Sequence, residues 1–145
     1  MRKLFEGVYA LREWHAGQEI LKPPAVEGRF ALTHGVVLTI LKNWAQASRK
    51  VAVASWGSYV FDESGFSYRY DDSTVVTETP GEKQVSYGPL FEGIRTFTVT
   101  HDSDGLHFRR VEGGIEFLFT ADGLKYSENG KVLRFWQRVK APGDS

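Results

Sequence analysis

Along nearly the whole chain, apolar and polar residues alternate with a period of two, and residues of turn-forming geometry separate the alternating runs. The pattern is clearest in the C-terminal half. From Ile94 to His101, Arg95, Phe97 and Val99 share one parity, while Thr96, Thr98 and Thr100 share the other. Asp102-Ser103-Asp104-Gly105 turns the chain into Leu106 to Glu112, and Gly113-Gly114 turns it into Ile115 to Thr120. Ala121-Asp122-Gly123 leads to Leu124 to Glu128. Asn129-Gly130, a pair in which both residues tolerate positive φ, then opens a last strand running through Val139. This half predicts a meander of about five strands.

The N-terminal half is less regular. Phe5 to Trp14 reads as a first strand, and the loop His15 to Val26 carries Pro23-Pro24, which cannot sit in a central strand. Glu27 to His34 and Val36 to Leu41 predict a hairpin around Gly35. Over Asn43 to Ser55 the residues Trp44, Ala47, Val51 and Ser55 fall at helical spacing, and with the local alanines they predict the one short helix. Trp56 to Asp62 and Phe66 to Asp71 predict another hairpin across Glu63-Ser64-Gly65, and Val75 to Thr79 a strand before a loop from Pro80 to Gly93. The total, roughly eight to ten strands with at most one helix, predicts an all-β sandwich or barrel. A single antiparallel up-and-down barrel is favoured, because an open hairpin series exposes its edges and no strand here is short and charged enough to blunt one. The barrel is expected over residues 1–139, with 140–145 a disordered tail.

A chain of 145 residues can bury one substantial core without staples. Ten Phe, six Tyr and four Trp beside fifteen Gly suit broad half-buried strands joined by tight turns. The 18 basic residues balance 18 acidic ones, so no net field attracts a phosphate backbone and a nucleic-acid role is not expected. Without Cys there is no disulfide and no thiolate ligand or nucleophile, a pattern suited to a reducing compartment. No apolar run reaches the length of a membrane span or a signal sequence, and a cytoplasmic location is expected.

Three segments resemble the bacterial lipocalin-like domain family, a branch of the calycin-type barrels. Leu4-Phe5-Glu6-Gly7-Val8-Tyr9-Ala10-Leu11 is similar to its opening strand, with Tyr9 where the family has Trp. Ala54-Ser55-Trp56-Gly57-Ser58-Tyr59-Val60-Phe61-Asp62 is similar to a middle segment in which a helix runs into a Gly-x-Tyr strand, and Phe135-Trp136-Gln137-Arg138-Val139 resembles the closing strand. The resemblance implies that an aromatic of the first strand plugs the closed end, with a cation of the last strand stacked over it for about 0.5 to 2 kcal/mol. Tyr9 and Arg138 are the candidates. These motifs are structural, so the resemblance brings no binding residues with it.

On parity, one face offers Trp56, Phe66, Tyr68, Tyr70, Phe97, Val99, Phe108, Phe117 and Tyr126, which either line a ligand cavity or fill a solid core. Tyr68, Tyr70, Arg95, Phe97 and Trp56 are expected to line the cavity, with His34 at its mouth as a candidate general base. Arg95 and Arg110 share the parity of Phe97 and Phe108, and an inward Arg would hold a carboxylate; the plainer expectation is a rim position in solvent or paired with Glu112. An even turn pairs position 101 with 106, leaving His101 and His107 on opposite faces, and no metal-binding spacing occurs. Asp62, Glu63, Asp71 and Asp72 read as a solvated rim, and no phosphate-binding, dinucleotide or nucleophile-elbow motif is present. No cofactor or metal is expected. The reading is a binding barrel for a small apolar or aromatic molecule, with no membrane or nucleic-acid partner and a homodimer compatible with it. The alternatives are a cofactor-independent cyclase, isomerase or decarboxylase, and a protein interaction module.

Overall fold

The computed structural model describes residues 1–140, so the tail expected over 140–145 lies, beyond Lys140, outside the described residues. After a single 3-10 turn (Arg2–Leu4) come β1 (Gly7–Ala16), β2 (Glu19–Leu21), β3 (Val26–Thr33), β4 (Val36–Gln46), β5 (Arg49–Asp62) and β6 (Gly65–Thr79). They are followed by β7 (Glu82–Tyr87), β8 (Arg95–Asp102), β9 (Gly105–Arg110), β10 (Ile115–Phe119), β11 (Gly123–Glu128) and β12 (Lys131–Arg138). The ladder runs β12-β11-β10-β9-β8-β6-β5-β4-β3-β1 and closes where β12 pairs with β1, giving an antiparallel barrel of ten strands. β2 folds back on the end of β1, and β7 pairs with the far half of β6. The five-strand C-terminal meander is present as β8 to β12, and both His34-Gly35 and Asn129-Gly130 make two-residue turns with positive φ.

One end of the barrel is solid. The 3-10 turn delivers Phe5, fully buried, into a ring cluster with Tyr59, Phe61, Phe66, Phe108 and Phe119, at centroid separations of 5.0 to 6.0 Å. Tyr9 and Arg138 are cross-strand partners, as the resemblance implies, and the guanidinium lies 4.9 Å from the ring centroid. The same guanidinium donates to the carbonyls of Glu6 and Leu4, both at 2.9 Å, and the Tyr9 hydroxyl donates to the Phe5 carbonyl at 2.6 Å. Three carbonyls of the entry segment are thereby tied to the first and last strands. Phe5, rather than Tyr9 alone, is the central plug.

Three expectations are corrected. Asn43 to Ser55 is not a helix: β4 runs to Gln46, turns at Ala47-Ser48 and returns as β5. Here Val51 to Ser55 finds ladder partners on both sides, in β4 and β6, and this pairing overrides a weak helical preference. The helix expected to precede the Gly-x-Tyr strand is therefore a strand as well. The loops assigned around Pro23 and Pro80 each contain or adjoin an extra strand, β2 and β7, and β6 continues through residues read as a break. That continuation depends on a bulge at Asp71, where Trp56 pairs with Asp72 and Gly57 with Tyr70. Only glycine fits at 57, because a Cβ there would stand 1.9 Å from the Arg69 carbonyl oxygen.

On the outer face His107 joins three strands. It is buried, its Nδ1 lies 2.7 Å from Glu116 on β10, and its Nε2 lies 3.1 Å from Asp102 on β8. With a carboxylate at each nitrogen the ring is favoured as imidazolium; Glu116 raises its pKa most, burial opposes, and Asp102 adds to the rise. His101 pairs with Leu106 and faces the other way, as the even turn requires.

Two outcomes follow from this packing. Tyr9→Ala is expected to cost about 3 to 5 kcal/mol in chemical denaturation, since it opens a cavity beside Phe5 and strands the Arg138 charge. The folded-state pKa of His107 lies above its unfolded value of about 6.5, so the stabilisation it provides is complete below that pH and is lost as pH rises through the folded value. Melting temperatures of wild type and His107→Gln should therefore differ most below about pH 6.5, and the difference should shrink as pH rises above it.

Candidate functional site

The end opposite Phe5 is hollow. Eight strands give an interior that side chains just fill, and the wider ten-stranded ring leaves a cavity of about 330 Å³. Its walls are Trp14 at the far end of β1, Phe30, Leu41, Val53, Tyr68, Tyr70, Phe117, Leu124, Tyr126 and Trp136. Leu90 and Phe91, from the segment between β7 and β8, close over it. The start of that segment is fixed by Asp72 and Ser73: the Gly88 N–H donates to the Asp72 carboxylate at 3.1 Å, and the Ser73 hydroxyl donates to the Gly88 carbonyl. Phe91 then stands edge-on to Tyr68 and Tyr70, each at 5.4 Å.

The polar groups of the cavity are few and concentrated. The Tyr70 hydroxyl and Thr39 Oγ1 are hydrogen-bonded at 2.5 Å. Burial pushes the Tyr70 phenol up to about 12 and raises the Tyr68 phenol as well, with Arg95 opposing the rise in both, so both keep their protons at neutral pH. Arg95 lies over the Phe91 ring at 3.7 Å; Arg134 lies over Trp14 at 4.6 Å and within 5.3 Å of Tyr126. Burial lowers the pKa of Arg134, while Tyr126, Tyr70 and Tyr68 oppose the shift. The arrangement can enclose an apolar body and present hydrogen-bond donors to one end of it.

Of the residues singled out from sequence, Tyr68, Tyr70 and Arg95 meet at this cavity. Phe97 stands behind its wall, fully buried and stacked on Tyr68 and Phe117. Trp56 is outside: it is 51% exposed, because the two-residue turn pairs Asp62 with Gly65 and so puts the odd residues of β5, Gly57 and Tyr59, on the face of Phe66 and Tyr68. His34 is not at the mouth. Its turn lies at the plugged end, where the Gly35 carbonyl accepts from the Tyr59 N–H, and the exposed ring is hydrogen-bonded to Thr33 at 2.8 Å. Sequence reasoning passed over Trp14, Phe91, Arg134 and Trp136. The Tyr9–Arg138 pairing held the signal for two of these, since following the same ladder along β1 and across one bulge brings Trp14 opposite Arg134.

Outside the barrel, Asp102, Asp104 and His107 bring ligand-type atoms within 4.8 Å of one another. Asp102 is already engaged there, accepting from the Asp104 N–H at 2.8 Å as well as facing His107.

No helix among the described residues is long and apolar enough to cross a membrane, which leaves open what the strands do. No family model, no curated protein and no solved structure matches the chain. What stands is the architecture itself, a closed ten-stranded antiparallel barrel consistent with a calycin-like fold, plugged at one end and hollow and aromatic at the other.

Proposed function

We propose that this chain is a lipocalin-like binding barrel that holds one small apolar or aromatic molecule in the cavity beneath Phe91, in contact with Tyr68, Tyr70 and Arg95. The observation that carries this reading is the unequal filling of the interior. Rings interlock around Phe5 at one end, while at the other comparable aromatic density surrounds a space of the size that takes a small ligand. A solid interior would have favoured an interaction module instead. The Tyr9–Arg138 closure supports the lipocalin-like assignment.

One observation favours a second reading, a cofactor-independent barrel enzyme. Tyr68 and Arg95 are adjacent across β6 and β8 and share the cavity. A protonated phenol beside a guanidinium is suited to stabilise an oxyanion on a bound carbonyl compound.

The test uses N-phenyl-1-naphthylamine, a neutral aromatic probe whose emission rises in apolar surroundings. It should bind the wild type with a Kd in the micromolar range, about −8 kcal/mol, and quench emission from Trp14 and Trp136. A Leu41→Phe/Val53→Phe double variant, which fills the space, should lose that binding while melting cooperatively. No binding to wild type, or equal binding to the filled variant, would sink the reading. Tyr68→Phe should keep the fold and weaken a ligand that accepts its hydroxyl by about 0.5 to 1.5 kcal/mol.

A further inference from the structure

Several arginine side chains elsewhere in the chain have polar partners. Arg138 donates to two carbonyls, Arg109 reaches Glu116 and Thr100, and Arg69 pairs with Asp71. The two arginines of the cavity differ. Among the described residues neither Arg95 nor Arg134 has a carboxylate partner, and no Asp or Glu lines the cavity. The Nε of each is buried without a hydrogen-bond partner. Two partly buried cations facing one apolar space, with no anion to offset them, are costly to the empty protein.

Their geometry indicates what would offset them. The Arg95 guanidinium lies over the Phe91 ring and that of Arg134 over Trp14. An aromatic neighbour leaves the buried Nε–H of each still to be satisfied, and the planar fork of a guanidinium matches the two oxygens of a carboxylate. The Tyr68 hydroxyl, protonated at neutral pH, adds a donor beside Arg95 and no negative charge, while the Tyr70 hydroxyl is engaged with Thr39.

We propose that the ligand of this cavity is an organic carboxylate, its apolar or aromatic body against Trp14, Phe117 and Trp136 and its carboxylate between the guanidinium groups of Arg95 and Arg134. This inference rests on the binding reading above and adds the charge and chemical class of the ligand. It also accounts for two unpaired cations in the interior of a chain whose formal net charge is zero.

The test is competition against bound N-phenyl-1-naphthylamine by two matched pairs, 2-naphthoate with 2-naphthamide and decanoate with decanamide, with 2-naphthyl phosphate as a further competitor. At least one carboxylate should compete about tenfold or more better than its amide, a difference of about 1.4 kcal/mol. Arg95→Met and Arg134→Met should each remove most of that preference, weakening the carboxylate far more than its amide, since the ion pair is the contact that separates the two. A melt of the ligand-free protein gives an independent readout: Arg134→Met should leave Tm unchanged or raise it, because an uncompensated cation is removed. If the probe binds but amides compete as well as carboxylates, or the phosphate competes best, the carboxylate assignment falls while the cavity reading stands. A sharp fall in the Tm of ligand-free Arg134→Met would likewise overturn it, by showing that the guanidinium serves the fold. Failure of the probe itself to bind would remove both.

Discussion

The pairing of the last strand with the first is the constraint on which the rest of the structure depends. Until β12 meets β1 the sheet has two open edges, and its inward rings face solvent. A sheet can close in many registers, and here the Arg138 side chain selects one. Stacked on Tyr9 and hydrogen-bonded to the carbonyls of Glu6 and Leu4, it fixes the β1–β12 ladder and positions the 3-10 turn that inserts Phe5. Register, closure and plug are one interaction, made between residues more than a hundred positions apart in the chain.

Closure with ten strands has a consequence for the interior. The plugged end reaches close packing because five aromatic rings converge on Phe5. The same ring circumference at the other end is not filled, although Trp14, Tyr126 and Trp136 are large. Into that space the ladder places Arg95 and Arg134, each over an aromatic face and each with a buried nitrogen that no protein group satisfies. A sequence under selection for stability alone has no reason to keep such cations, whereas a binding site does.

Bulges decide which side chains reach the site. At Asp71 one extra residue in β6 preserves pairing with β5 while changing which parity points inward, so Tyr70 and then Ser73 are buried on the same strand. A second irregularity between Leu11 and Glu13 brings Trp14 opposite Arg134. Beyond Tyr70, β6 leaves β8 for β7, and the chain returns with Leu90 and Phe91 over the opening. The lining is thus set as much by where the ladder slips as by where it is regular.

The sequence by itself determined the all-β architecture, the five-strand C-terminal meander, the Asn129-Gly130 turn and the Tyr9–Arg138 contact, and it placed Tyr68, Tyr70 and Arg95 on one inner face. The architecture, the meander, the turn and the shared inner face follow from two-residue periodicity and turn chemistry, which are local, whereas the Tyr9–Arg138 contact is what the family resemblance implied. It misplaced Trp56 because a one-residue difference in turn length reverses every side chain on a strand, and it misread residues 43–55 because helical spacing and strand alternation coexist there until neighbouring strands supply partners. It set His34 at the wrong end because nothing local records which end the plug occupies. The hollow beneath Phe91 and the meeting of Arg95 with Arg134 were decided by tertiary structure alone, since both depend on how many strands close the ring and on the register in which its two ends join.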